Sequence, residues 1–340
     1  MINRFSFRLW MQRCAFIYIL LLISSCTQNS HRIDVSAVLV EIKSERLDED
    51  LFSSPGKNIS ELRKKYGSFF DLYCFKLTDN GSPDTMLMKD KLNAFTIDAD
   101  LKQISSVSEK IFHDFTPFDQ QLTEAFKHYK YYFPGKVIPR VISFISGFNY
   151  AVVAADSALG VGLDMYLGSD SKYYPALQFP HYKIVRMRKE YLVNDCMRGW
   201  AQSEWEQDPA QNDFISQAIY FGKMLYFLDE MMPDVPDTIK TGYTEDQLKW
   251  CNNNEKNIWS FFIDQKLLFS VDQNQVTKYL NDGPNSSGFP KESPGAIGQW
   301  IGWRIVQSYM KNNSAVSLEQ LMNNHDYKKI LNDSKYKPEK

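Results

Sequence analysis

Apolar residues open the chain in one unbroken block, Cys14-Ala-Phe-Ile-Tyr-Ile-Leu-Leu-Leu-Ile23, behind a head carrying Arg4, Arg8 and Arg13 and no acidic residue. The block is about half the length a membrane-crossing helix needs, and it fits the core of an export signal. Residues 27–32 are polar and read as a short tether. Residues 35–42 alternate weakly and predict a strand. From 58 to 135 the apolar spacing is helical, and Thr116-Pro117 followed by Asp119 predicts a helix start, with a stop at Pro134-Gly135. Between 137 and 168 the period shortens. The runs 141–145, 150–154 and 160–164 are β-rich and separated by Ser-Gly and Asp-Ser breaks, which predicts a small meander. Helical periodicity returns near Tyr182 and continues to the end. Starts are marked by Thr244 with Gln247, by Ser293-Pro294, and by Ser317 with Gln320, the first and last as capping boxes. No internal repeat is visible. The pattern predicts an α+β protein, predominantly helical, with one small central β-sheet.

The apolar block ends in Ile23-Ser24-Ser25-Cys26, which resembles the bacterial lipobox. Only a thiol can form the thioether to diacylglycerol, and the small residues let the chain enter the peptidase. Residues 1–25 are therefore expected to be a signal peptide and Cys26 the lipid attachment point, with 26–34 as the anchored tether. Two or three acyl chains hold a protein stably at a bilayer without spanning it. The remainder, 35–340, is expected to form a single periplasmic domain: 35–135 mainly helical, 136–168 the β meander, 182–340 helical. The chain carries 39 basic and 41 acidic residues, a net charge of −2, so nothing calls for nucleic acid as a partner. Cys74, Cys196 and Cys251 are far apart and lack any C-x-x-C, so buried free thiols are expected rather than a disulfide scaffold or zinc knuckle.

Motifs for catalysis are sparse. The five histidines, His31, His113, His128, His181 and His325, are scattered, and no H-E-x-x-H occurs to build a thermolysin-like zinc site. Glu124 and His128 share a helix face, as surface ion pairs do. No G-x-S-x-G, Walker loop or dinucleotide fingerprint is present. The most informative element follows Pro294. Its apolar residues lie almost all round, so a central buried helix is expected, with Gly298 and Gly302 leaving a flat stripe for close approach. Arg304 on this helix is either solvated at its edge or paired with Asp164 or Glu255 inside a cleft. Trp200, Trp205, Trp250, Trp259, Trp300 and Trp303 are either core or the lining of a sugar or peptide groove.

Several strings extend this reading: Gly162-Leu-Asp-Met-Tyr-Leu-Gly168, Gly222-Lys-Met-Leu-Tyr226 with Leu228-Asp-Glu-Met-Met-Pro233, and Tyr243-Thr-Glu-Asp-Gln-Leu-Lys-Trp-Cys251. Others are Asn254-Glu255 with Ile258-Trp259, Ile301-Gly-Trp303 with Ser308-Tyr-Met310, and Ser334-Lys-Tyr-Lys-Pro338. Together, in this order, they resemble the gliding-motility lipoprotein GldB family. The resemblance implies an envelope lipoprotein required for surface gliding and the associated type IX secretion apparatus, with other gliding or secretion envelope proteins and the lipid bilayer as partners. It carries over no catalytic residue.

The family also looks distantly like gluzincin metallopeptidases, which implies a sheet followed by a zinc-binding helix. Here the helix expected at 182–206 has histidine only at its mouth, His181. Phe221 precedes the Gly222 string where a ligand glutamate would stand. The reading is therefore a non-enzymatic protein with no metal and no cofactor, acting by protein–protein contacts; a peptidase-like hydrolase or glycan-binding envelope lipoprotein are the alternatives. Candidate cleft or interaction residues are Asp164, Tyr166, Lys223, Glu255, Trp300, Trp303 and Arg304. Thr27-Gln28-Asn29 lacks the acidic cluster that resembles a surface-export signal, so a periplasm-facing position is expected, with the inner leaflet of the outer membrane favoured over the inner membrane.

Overall fold

Strand formation in this chain is decided by which groups capture backbone amides. The computed structural model describes residues 33–53, 59–79 and 86–338, so the expected signal peptide and Cys26 lie outside the described residues. The strand expected at 35–42 does not form. Ser36 N and Val40 N bond locally, to Asp34 Oδ1 and Val38 O; at the segment's end Ile42 N donates to Thr123 Oγ1 of helix α1, Thr116–Tyr132, at 2.9 Å, and beyond it Ser44 N donates to Asp119 Oδ1 at 3.1 Å. Pairing begins only at β1, Glu45–Arg46, which is followed by β2, Arg140–Phe144, β3, Val152–Ala155, and β4, Ala158–Gly162.

The sheet has the order β1-β2-β4-β3, parallel at β1/β2 and β2/β4 and antiparallel at β3/β4. The expected meander is thus corrected to a mixed sheet. β3 and β4 join through Asp156-Ser157, with Asp156 at φ 49°, a hairpin conformation. β2 instead leaves through a longer excursion, so β3 lands on the outside and β4 fills the place beside β2. A parallel centre needs cover on both faces. Val141, Leu159 and Val161 face a core that holds Leu122, Phe126 and Tyr129 of α1, while Ile142, Phe144 and Ala158 face a second cluster with Tyr66, Phe70 and Tyr73.

The rest is helical. The main elements are α2, Leu192–Glu204, α3, Phe214–Met231, α4, Ile297–Asn312, and α5, Tyr327–Ser334. The helix expected across 182–206 is two: His181–Ile184 and α2, parted where Gly168 N donates to Met187 O at 3.0 Å and draws Arg188 into extended backbone. α4 is central, as its all-round apolar pattern demands, and it crosses α3 glycine to glycine. A Cβ on Gly302 would lie 1.7 Å from Ala218 O, and one on Gly222 would lie 2.2 Å from Gly302 C. α4 starts later than Ser293-Pro294, after Ala296 at φ 53°, because the Ser293 hydroxyl is engaged in the preceding loop, donating to Pro290 O. Both expected capping boxes are formed, Thr244 with Gln247 and Ser317 with Gln320. No helix among the described residues is long and apolar enough to cross a membrane.

Candidate functional site

α2 is amphipathic in an uneven way. Cys196, Met197, Trp200 and Ala201 point into the core, while Asn194, Asp195, Arg198 and Gln202 line a cleft of about 650 Å³. Tyr166, from the short turn after β4, donates to Asp195 Oδ2 at 3.0 Å, and Asn194 Nδ2 approaches Asp195 Oδ1 at 3.2 Å. Burial raises the pKa of Asp195, and the Arg198 and Arg186 cations with these two donors hold it back. Arg198 is bonded through Nη2 to the Lys240 carbonyl oxygen, while its buried Nε has no partner. Desolvation lowers its pKa against the pull of Asp195 and Asp282.

Arg186 forms the opposite wall. Its Nη2 meets Asp282 Oδ2 at 2.7 Å, and its guanidinium passes so close to Gly242 that a Cβ there would lie 2.7 Å from Nη1. Gly242 also sits at φ 74°, so both space and backbone favour glycine. Tyr243 closes the floor, donating to Ala296 O at 3.1 Å. Chemically this is a half-polar, aromatic-walled hollow that can hold a ligand by charge-assisted hydrogen bonds.

Of the residues expected at a cleft, only Tyr166 lines this one; of the other six, Glu255, Trp300 and Arg304 meet one another elsewhere. Asp164 is fully buried and holds a turn: Oδ2 accepts from Ser146 N at 3.1 Å and Phe148 N at 2.6 Å, tying the positive-φ pair Gly147 and Phe148. Burial pushes its pKa up to about 6, against the backbone N–H donors that hold it down. Lys223 is buried on α3 and donates to Met322 O at 2.8 Å and Asn324 O at 2.9 Å, with the Tyr327 ring centroid 5.3 Å away; burial lowers its pKa to about 7. Arg304 pairs with Glu255, Nε to Oε1 at 3.0 Å, and not with Asp164; its side chain is 37% exposed and Glu255 12%. Tyr336 donates to the same Glu255 oxygen at 2.8 Å, which gives the closing Ser334-Lys-Tyr-Lys-Pro338 string a packing role. Trp303 Nε1 donates to Asp229 Oδ2 at 2.7 Å, and Trp300 is core beneath the Arg304 guanidinium.

Among the described residues no tryptophan lines the cleft: Trp200, Trp205, Trp300 and Trp303 are buried, and Trp250 and Trp259 pack against the same core. Glu124 and His128 do approach, Oε1 to Nε2 at 3.9 Å, with the carboxylate exposed and the imidazole buried. Arg186, Asp195 and Arg198 were not singled out from the sequence, and Tyr243 entered only as the first residue of the Tyr243–Cys251 string. The only local signal is the polar set Asn194, Asp195 and Arg198 at successive turns of an otherwise apolar helix.

No curated protein and no solved structure matches this chain, so the gluzincin-like frame has no support. A family model described as gliding motility protein GldB matches residues 28–338, nearly the whole length. The chain therefore belongs to the GldB family of gliding-motility lipoproteins.

Proposed function

We propose that this protein is a non-enzymatic, lipid-anchored envelope component of gliding motility and of the associated type IX secretion machinery. It faces the periplasm and acts through contacts with other envelope proteins. The family match over 28–338 carries this reading. The chemistry of the described thiols supports it: Cys74, Cys196 and Cys251 are all buried, and burial pushes their pKa values up, to about 12 for Cys74, which makes poor nucleophiles. In the cleft Arg186 pairs with Asp282 and Lys240 with Asp229, while Asp195 accepts from the Tyr166 hydroxyl.

The test begins with Cys26→Ser, which should abolish palmitate labelling and fail to restore gliding to a null strain. Affinity capture from cross-linked envelopes of the complemented strain should then recover motility or secretion components with the parent chain. Full complementation by the unlabelled variant would refute the anchored reading, and turnover of a peptide substrate by the purified protein would refute the non-enzymatic one.

A further inference from the structure

The cleft beside α2 contains unmet hydrogen-bonding capacity. Asn194 is 3% exposed, yet its Oδ1 has no hydrogen-bond partner, and Arg198 lines the same hollow with only Nη2 bonded. Buried polar atoms without partners cost free energy, so two on successive turns of one helix mark a place that a ligand can complete. The charges specify what kind. Lys240 is matched by Asp229 at 2.9 Å and Arg186 by Asp282 at 2.7 Å. Lys240 also has Asp237 at 3.6 Å. Within the lining itself the cations Lys183, Arg186, Arg198 and Lys240 outnumber the carboxylates Asp195 and Asp282, which suits an anion. Four side-chain amides, Asn194, Gln202, Asn281 and Gln299, line the same cavity, and carboxamides pair naturally with peptide groups.

We propose that this cavity binds a carboxylate carried on a peptide, seated against the free edge of the Arg198 guanidinium, with Asn194 and Gln202 meeting the adjoining peptide groups. Guanidinium and carboxylate match in plane and in donor spacing, and exclusion from water strengthens the pair. At about 650 Å³ the hollow is of the size that takes a short peptide end and not a folded surface. The carboxylate has two sources, a chain terminus or an acidic side chain. The proposal rests on the protein-contact reading above, and it is tested separately from it.

Calorimetric titration of the full-length lipoprotein in detergent would compare five probes: N-acetyl-alanyl-alanine, its C-terminal amide, N-acetyl-glutamyl-alaninamide, glucuronate and inorganic phosphate. At least one carboxylate peptide is expected to bind tenfold or more tighter than the neutral amide, and the stronger of the two identifies the source. Arg198→Met should erase that preference and Gln202→Ala should weaken it. Equal binding of acid and amide, tighter binding of glucuronate or phosphate, or no binding by any probe overturns the proposal. So does a folded Arg198→Met protein that keeps the preference. The ranking on the parent protein decides the matter even if the variant fails to fold. Successful capture of envelope proteins alongside an absent acid preference would sink the cleft assignment and leave the motility reading standing.

Discussion

A single methyl group at residue 302 should force two helices apart. The Cβ of Gly302→Ala would lie 1.7 Å from Ala218 O, 1.3 Å inside the 3.0 Å limit that real Cβ contacts respect. The obstacle is α3 backbone, so no rotamer change relieves it; the α3–α4 seam must open. A radial gap of about 0.5–1 Å already forfeits a quarter to a half of each dispersion contact of ~0.1–0.2 kcal/mol. With on the order of 35 atom pairs across the seam, the loss is about 2.5 kcal/mol. Alanine returns about 1 kcal/mol through helix propensity. The net expectation is destabilisation of about 1.5 kcal/mol, within the range of overpacked cores. Urea melts followed by tryptophan fluorescence would read it as a lower midpoint at unchanged slope, since Trp300 and Trp303 flank Gly302 on α4. Gly298→Ala is the control: its nearest neighbours, Leu280 Cδ2 and Phe214 Cε2 at 2.8 Å, are side-chain atoms, and the nearest backbone atom, Tyr279 O, stands at 3.0 Å, so it should lose less. A Gly302→Ala protein as stable as its parent, or one less affected than Gly298→Ala, would refute the close-packing argument.

Three further outcomes follow from buried charge. Asp164→Asn keeps one oxygen for both Ser146 N and Phe148 N and removes a carboxylate whose pKa burial raises from 3.8 to about 6. The native state holds that proton while the unfolded state releases it, so stability is lost as pH rises through this window; the variant should match its parent near pH 4 and exceed it by about 2 kcal/mol at pH 7. Lys223, with its pKa lowered from 10.5 to about 7, releases its proton in the native state first, so its penalty fades as pH rises above 7. The stability gap between Lys223→Met and the parent should therefore shift by about 1 kcal/mol per unit between pH 7 and 8.5, and a pH-independent gap would contradict this. Arg304→Ala should cost only about 1 kcal/mol in the same melts, because a side chain 37% exposed is screened by solvent; a loss of several kcal/mol would mean the pair with Glu255 is effectively dry.

Features written in neighbouring residues were the legible ones. The capping boxes at Thr244 and Ser317 span three positions, and a helix apolar on every side, as at Ile297–Asn312, has nowhere to lie but the core. Strand order is not of this kind. The runs that became β2, β3 and β4 reveal their period, but which strand sits beside which depends on how far the turn after β2 carries the chain. Arg304 had two candidate carboxylates, and packing brings Glu255 to it while Asp164 ties the turn at 146–148. The cleft was hidden for a similar reason. Arg186, Arg198, Tyr243 and Asp282 belong to four separate segments, and no spacing rule connects them before the fold does.

The split character of the sheet also sets an order of events in time. Glu45 and its ladder partner Ile142 are 97 residues apart, whereas the turn that links β2 to β4 closes within 18 residues through Ser146 and Asp164. Closing the longer loop costs about 1.5 kcal/mol more chain entropy, and the contacts that offset it come late. β2, β3 and β4 can therefore assemble as a nucleus before β1 joins. β1, although the first of the described strands, would then be the last to join the sheet. Pulse-labelled hydrogen exchange during refolding should show the amides of 158–162 protected before those of 45–46, and the reverse order would rule this sequence out. A chain that enters a compartment N-terminus first would then hold its leading segment unpaired until residue 162 has arrived.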